Sequence, residues 1–334
     1  MAQLAPLTRS GVVGHYARHF ASLGAPVDRL LEKAGIPPYL LDIPDTIVSL
    51  QSAYRFAELA CQNLGAEHIG LDIGLASSLD HFGAYGTHLK GSYTIGDYLE
   101  KGITGYNSLT TGEYFSLTDL GSEIRFDIIS PGMCGVGVYQ SHLCTIAVTI
   151  ASCRQFTGPE WSPGEIGLAY QSRERLPSVG MFGESRVLRG LGQSYITIPK
   201  AILGLRLPAA SADRSSGELS ASTKLPEDII GIVLKQIDAL SEIGPKLQIE
   251  IIAESLAMSR RSLQRAITKR GLTYSQLINE RRLRRARYWL DYTKKPITEI
   301  ALDLGYTDAS NFSRAFRRNT GLSPRDFRDR AKRV

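Results

Sequence analysis

Two stretches in the C-terminal third repeat one another at an offset of 48 to 49 residues, and any fold for this chain has to accommodate both. From Gln248 the pattern is helical, with Ile251, Ile252 and Leu256 on one face. Met258-Ser259 interrupts it, and a second helix follows with Leu263 and Ile267 at i, i+4 spacing; Ser259 is suited to cap it. Ile300, Ala301 and Leu304 repeat the first helix, Gly305-Tyr306-Thr307 the turn, and Phe312 and Phe316 stand where Leu263 and Ile267 stood. A small alanine marks the closest approach in each copy (Ala253, Ala301), with an apolar anchor ten or eleven residues later. This is the pattern of a helix-turn-helix. One copy is a weak signal, because helical hairpins are common, whereas two copies within about 90 residues are a strong one.

Charge falls on the same segment. Of the 39 basic and 33 acidic residues in 334, residues 225–334 carry 22 and 13, a net +9, and the first 224 residues net −3. Phosphate neutralisation needs Lys and Arg gathered on one body, so a positive domain joined to a mildly negative one points to a nucleic-acid module carried by something else. The run from Pro208 to Lys224 is small, polar and nearly free of large apolar residues, as linkers are. The expected organisation is therefore a domain over 1–207, a linker over 208–224 and a second domain over 225–334.

Between the copies, Thr273 to Tyr292 predicts a helix of about 20 residues and about 30 Å, close to the roughly 34 Å turn of B-DNA that separates two recognition helices on one face of a duplex. Arg281, Arg282, Arg284 and Arg285 cover about half its circumference, with Leu283, Ala286 and Leu290 opposite. One side is expected to pack and the other to be basic.

SRRSLQRAITKRG (259–271), INERRLRRARYWL (278–290) and ITEIALDLGYTDASNFSRAFRRNTGLSPRDFR (297–328) resemble the DNA-binding domain of the AraC/XylS family of bacterial transcription regulators. The resemblance covers about 100 residues and implies seven helices, two of which read DNA. Ala257 departs from it by standing where a turn glycine is frequent, at little expected cost. With Leu263 and Ile267 inward, the first reading helix presents Arg260, Arg261, Gln264 and Arg265; Arg suits guanine and Gln suits adenine in the major groove. The second, with Phe312 and Phe316 inward, presents Ala309, Ser310, Asn311 and Arg314, which match the family's reading positions. Lys269, Arg281, Arg285, Arg317 and Arg318 are expected at phosphates, which fix register without reading sequence. Arg282 is the one expected to be structural.

The N-terminal half reads as helices over about Arg9–Ser22, Pro26–Lys33, Ser49–Asn63, Thr94–Leu109 and Tyr139–Arg154. A hairpin is expected around Gly121, and strands near Ile166–Tyr170 and Tyr195–Ile198. SLQSAYRFAELACQNLG (49–65), DHFGAYGTHLKGSYTIGDYL (80–99) and EWSPGEIGLAY (160–170) resemble the arabinose-binding-like N-terminal domain of an AraC subfamily, whose members sense varied effectors. Phe82, Tyr85 and His88 in its Gly-rich stretch are candidates to line an effector pocket. Arg186 and Arg189 suit an anionic effector or simply solvent.

Other chemistries lack their residues. Cys61, Cys134, Cys144 and Cys153 make no CxxC pair and are expected reduced and mostly buried. His15 and His19, at i, i+4, lack the Glu of HExxH and a third ligand, so an exposed helical face is expected there and no metal site. No GxSxG, P-loop or dinucleotide fingerprint is present, and no cofactor is implied. No apolar run approaches the 18 or so residues of a membrane span, and Arg9, His15, Arg18 and His19 stand where a signal peptide needs an apolar core, so a cytoplasmic location is expected. The fold class expected is α+β: a mixed α/β sensor and dimerisation domain, then an all-α double helix-turn-helix. The function expected is that of a non-enzymatic, sequence-specific regulator. Its partners are promoter DNA, a small-molecule effector, a second copy of itself in a homodimer and RNA polymerase. The rivals are a first domain that only dimerises, and a DNA-repair methyltransferase fusion, which needs an activated cysteine.

Overall fold

The computed structural model describes residues 5–171, 182–206, 219–220, 223–241 and 247–331. Contacts divide the chain into two units, Met1–Leu225 and Pro226–Val334. Most of the expected linker, 208–224, lies outside the described residues.

The first unit is mixed, in the order β1 (Leu7–Arg9), α1 (Ser10–Ser22), α2 (Val27–Ala34), β2 (Ile47–Ser49), α3 (Leu50–Leu64), α4 (Ile69–Leu75), α5 (Gly83–Lys90), α6 (Ile95–Gly105), β3 (Tyr114–Asp119), β4 (Glu123–Ile129), α7 (Val136–Thr157), β5 (Glu165–Leu168), β6 (Arg186–Arg189) and β7 (Ser194–Pro199). β1 and β2 form a small antiparallel ribbon; the other five make one sheet in the order β3-β4-β7-β5-β6, antiparallel except for β5 with β6. The hairpin forms as alternation predicts, with Leu117 opposite Phe126 and Gly121 at φ +89° in its turn. Ser49 caps α3 by accepting from the Ser52 N–H, and Thr94 caps α6 by accepting from that of Asp97. The helix expected to run to Leu109 stops at Gly105 and continues as a 3-10 turn.

α7 carries Tyr139, Leu143, Ile146, Ala147 and Ile150 into a core completed by Phe126, Ile128, Ile166 and Ile196 of the sheet. It is the one described helix long and apolar enough to cross a bilayer, and most of it is buried inside this unit. Its closest neighbour is α4, where a Cβ on Gly70 would stand 2.3 Å from the Gln140 carbonyl oxygen and one on Gly74 2.5 Å from the Ala147 Cβ. Two glycines one helical turn apart thus let the helices meet backbone to backbone.

Among its described residues the second unit is helical, with no strand: α8 (Ile229–Leu240), α9 (Ile249–Ser255), α10 (Arg260–Thr268), α11 (Tyr274–Tyr292), α12 (Ile297–Asp303), α13 (Ala309–Thr320) and α14 (Pro324–Ala331). These described helices match the seven that the resemblance implies. Leu263, Ile267 and Leu277 are buried in the first half with Ile232, Val233 and Ile252 of α8 and α9. Phe312 and Phe316 close a second core with Ala286, Leu290, Ile300, Ala301 and Leu304.

Candidate nucleic-acid interface

The duplication extends to individual hydrogen bonds. At the end of α9 the Ala257 N–H donates to the Glu254 carbonyl and that of Met258 to Ala253; at the end of α12, Gly305 donates to Leu302 and Tyr306 to Ala301. Both pairs are 48 residues apart. The caps that follow are 49 apart, Ser259 accepting from the Ser262 N–H and Asp308 from that of Asn311, so the second turn is one residue longer. The repeat then continues into a third helix at an offset of 50. Gly271 and Gly321 are both left-handed, Thr273 accepts from the Gln276 N–H as Ser323 does from that of Asp326, and Leu277 and Phe327 turn to their cores. Each copy is a three-helix unit; the sequence predicts α11 as a helix between the copies but does not show that it belongs to the repeat. α11 closes the first copy and supports the second.

Ala257 is the only non-glycine residue at positive φ, at +53°, among the described residues, whereas its counterpart Gly305 sits at +79°. A Cβ in the left-handed region costs about 1 kcal/mol or more, so the alanine is not as cheap as the sequence reading expects.

α10 presents Arg261, Gln264, Arg265 and Lys269 to solvent. Arg260 is also exposed but reaches back 2.8 Å to Glu250 of α9, a pairing that contact with DNA would have to replace. On α13, Ser310, Arg314, Arg317 and Arg318 are exposed. Asn311 is half-buried and engaged in the cap: its amide donates to Thr307 and Asp308, at 2.8 and 2.7 Å, and its carbonyl accepts from the Arg314 guanidinium at 2.6 Å. It therefore aims Arg314 as well as presenting itself. The Asn311 N–H also holds the Asp308 carboxyl below the usual carboxylate range. Ala309 packs against the second core, so it is less available than helix geometry alone suggested.

The arginines of α11 divide differently from the expected basic face. Arg281 is mostly buried, 3.3 Å from Asp238 of α8, and Arg282 lies 5.4 Å over the Tyr306 ring in the second turn. Neighbouring arginines thus tie α11 to opposite copies. Arg281 is turned inward, which corrects its placement among phosphate contacts, and Arg282 is structural as expected. Arg284 and Arg287 are exposed, while Arg285 is half-buried over Trp289 at 5.3 Å.

In the first unit Phe82 and Tyr85 line an interior cavity of about 80 Å³, with Tyr16, Tyr98, Tyr106 and Phe115 among its other walls. His88 is not among its lining residues; its ring lies by Gly105. An adjoining cavity of about 50 Å³ is lined in part by Tyr54, Glu113 and Ser141. These two cavity-lining polar residues, Tyr54 and Glu113, were not singled out from sequence because they come from separate segments that no local pattern connects. His15 is buried and stacked on His81 at 4.2 Å, not on the exposed face expected, because its Nε2 meets Ser77 at 2.7 Å. Three cysteines are buried and Cys134 is exposed. Burial pushes the thiols of Cys61 and Cys153 up to about 12 and that of Cys144 to about 11, the opposite of what a nucleophilic cysteine needs.

Residues 24–207 match the family model described as the arabinose-binding domain of AraC transcription regulator, N-terminal, and residues 252–330 match that of a helix-turn-helix domain. The chain is 26% identical over 321 residues to the ornithine utilization regulator of Pseudomonas aeruginosa, with 92% of each protein covered. It is 37% identical over 105 residues to the regulatory protein SoxS of Salmonella typhimurium, which covers 31% of this chain and 96% of that one. Among solved structures it is similar to the transcriptional regulator CdpR of Pseudomonas aeruginosa, at 21% identity and a TM-score of 0.40, with 91% of this chain and 96% of that chain covered.

Proposed function

Because the chain belongs to the AraC family of transcription regulators, with a helix-turn-helix DNA-binding domain and an arabinose-binding-like N-terminal domain, we propose that it grips promoter DNA with α10 and α13 in successive major-groove segments on one face of the duplex. Arg260, Arg261, Gln264 and Arg265 read one box, and Ser310, Asn311 and Arg314 the other. Lys269, Arg285, Arg317 and Arg318 hold phosphates. The observation that carries this reading is the repetition, hydrogen bond for hydrogen bond, of a capped turn followed by a helix with an exposed basic face.

A small molecule in the interior cavity of the first unit shifts the population toward DNA-competent chains, since a ligand biases an equilibrium by its difference in affinity for the two states. The cavity favours this over a first unit that only dimerises. Domain limits of 1–207 and 225–334, a homodimer and contact with RNA polymerase complete the proposal. The test is a gel-shift titration of the full chain on duplexes selected from a random pool, repeated across salt. Binding that falls steeply with salt supports the reading through counterion release; no binding at low salt, or binding indifferent to salt, refutes it.

A further inference from the structure

We propose that the paired cavities of the first unit take a small primary amine, its ammonium held by Glu113 and Tyr54 and its apolar body among the rings of Tyr16, Tyr85, Tyr98 and Tyr106. The inference rests on the effector reading above and names the chemical class of the ligand.

Glu113 is the central observation. Its side chain is 2% exposed, and its partners are neutral: the Tyr106 hydroxyl donates to Oε2 at 3.0 Å and the Ser130 hydroxyl to Oε1 at 2.7 Å. Nε2 of His142 stands 3.9 Å from Oε1, beyond hydrogen-bond distance, and meets the Ser130 hydroxyl at 2.9 Å; burial keeps His142 below the usual histidine range. A buried carboxylate without a cation costs several kcal/mol. With about four lone-pair sites and two donors, Glu113 has capacity left for a charged one.

A second observation lies beside it. The Tyr54 hydroxyl is shut off from solvent and makes no hydrogen bond of good geometry, although burial and the neighbouring Glu113 carboxylate push its phenol well above the usual tyrosine range; it lines the same 50 Å³ cavity as Glu113. A poorly satisfied buried hydroxyl is costly, and an ammonium at the cavity wall would engage both groups. That cavity shares Val12, Tyr16, Tyr106, Leu109 and Ser141 with the 80 Å³ one. At about 10 to 15 Å³ per water-sized group, the two together admit on the order of ten non-hydrogen atoms. The larger cavity is walled mainly by aromatic and aliphatic side chains, whose rings favour a cation over an anion. A carboxylate ligand would meet Glu113 as a like charge, and an alcohol would leave it uncompensated.

The test uses the full chain and matched probes on one skeleton: 2-phenylethylamine, 2-phenylethanol and 3-phenylpropanoate, with the butyl series beside them. The expected result is thermal stabilisation by an amine, with the matching alcohol binding at least about tenfold more weakly and the carboxylate without effect. Glu113→Gln should weaken the amine about 10- to 100-fold, the range of a charge-assisted hydrogen bond. Tyr54→Phe, which leaves the carboxylate in place, should weaken it about 3- to 10-fold and serves if the first variant does not fold. Equal binding of amine and alcohol, no amine binding at all, or unchanged amine affinity in the folded variants would overturn the proposal. Alcohols or acids that bind and alter DNA affinity while amines do not would overturn the amine and leave the effector reading standing. An amine that binds as described without changing DNA affinity keeps the site and ends the effector reading.

Discussion

Replacing Ala257 by glycine should stabilise the DNA-binding unit, although it removes an atom and adds no contact. Ala257 holds φ at +53° in the turn between α9 and α10, where an L side chain costs about 1 to 2 kcal/mol relative to a right-handed conformation. Its side chain is exposed, so little buried area is lost. Against the relief stands the greater freedom of glycine in the unfolded chain, about 0.4 to 1 kcal/mol. The net expectation is a gain of about 0.5 to 1 kcal/mol, or about 2 to 5 °C for a unit of this size. Gly305→Ala, at φ +79° in the corresponding turn, should show the opposite sign and a similar size. Scanning calorimetry of the full chain, following the transition that also moves when DNA is added, measures both. A lower melting temperature for Ala257→Gly, or changes of the same sign in both variants, would refute the claim that the two turns share one strained geometry.

The reading residues separate by specificity: Arg261→Ala or Gln264→Ala should relax base preference in one box and Arg314→Ala in the other, by about 1 to 3 kcal/mol for a bidentate contact. Selection from randomised duplexes that returns the wild-type motif would remove them from the reading set. Salt dependence separates phosphate contacts from packing. Arg317→Ala should lower the slope of log affinity against log salt by about 0.9, while Arg281→Ala, which breaks the pairing with Asp238, should lower stability and leave the slope unchanged. Ser259→Ala should cost about 1 kcal/mol by uncapping α10, read by chemical denaturation. The cap of α13 should depend on pH: because Asp308 titrates below its unfolded value, its contribution is complete above that value and lost as pH falls through the lower folded one. Amide exchange at Asn311 across acidic pH should show loss of protection; unchanged protection would contradict it.

The second unit was legible because its information is local and repeated. Apolar residues at helical spacing, Ser259 as a cap and the Phe312–Phe316 pair each fix one face of one short helix, and duplication confirms the assignment. That α11 is the third helix of the first repeat was hidden because it is long enough to read as an independent spacer. Arg281 was misread because helical periodicity gives a direction but not what lies there, and Asp238 sits 43 residues earlier. In the first unit, β1 and β2 are three residues each, too short for alternation to show, and the glycines that let α4 meet α7 also dilute its helical signal. Glu113, Tyr54 and Ser130 come from separate segments joined only by tertiary packing.

If the proposed function holds, the two repeated units read one face of a duplex together through a stiff connector. α11 has 19 residues, about 28 Å, and α8 and the second turn pin it through Arg281 and Arg282. The direct measurement is the dissociation constant of the full chain on its selected site, with 0, 5 and 10 base pairs inserted between the two boxes. Five base pairs, half a turn, should rotate one box out of reach and reduce affinity toward that of a single unit. Ten base pairs should not restore binding, because the helix cannot lengthen to span two turns. Constants that change by less than about threefold across the series, the smooth behaviour of a flexible linker, would contradict it.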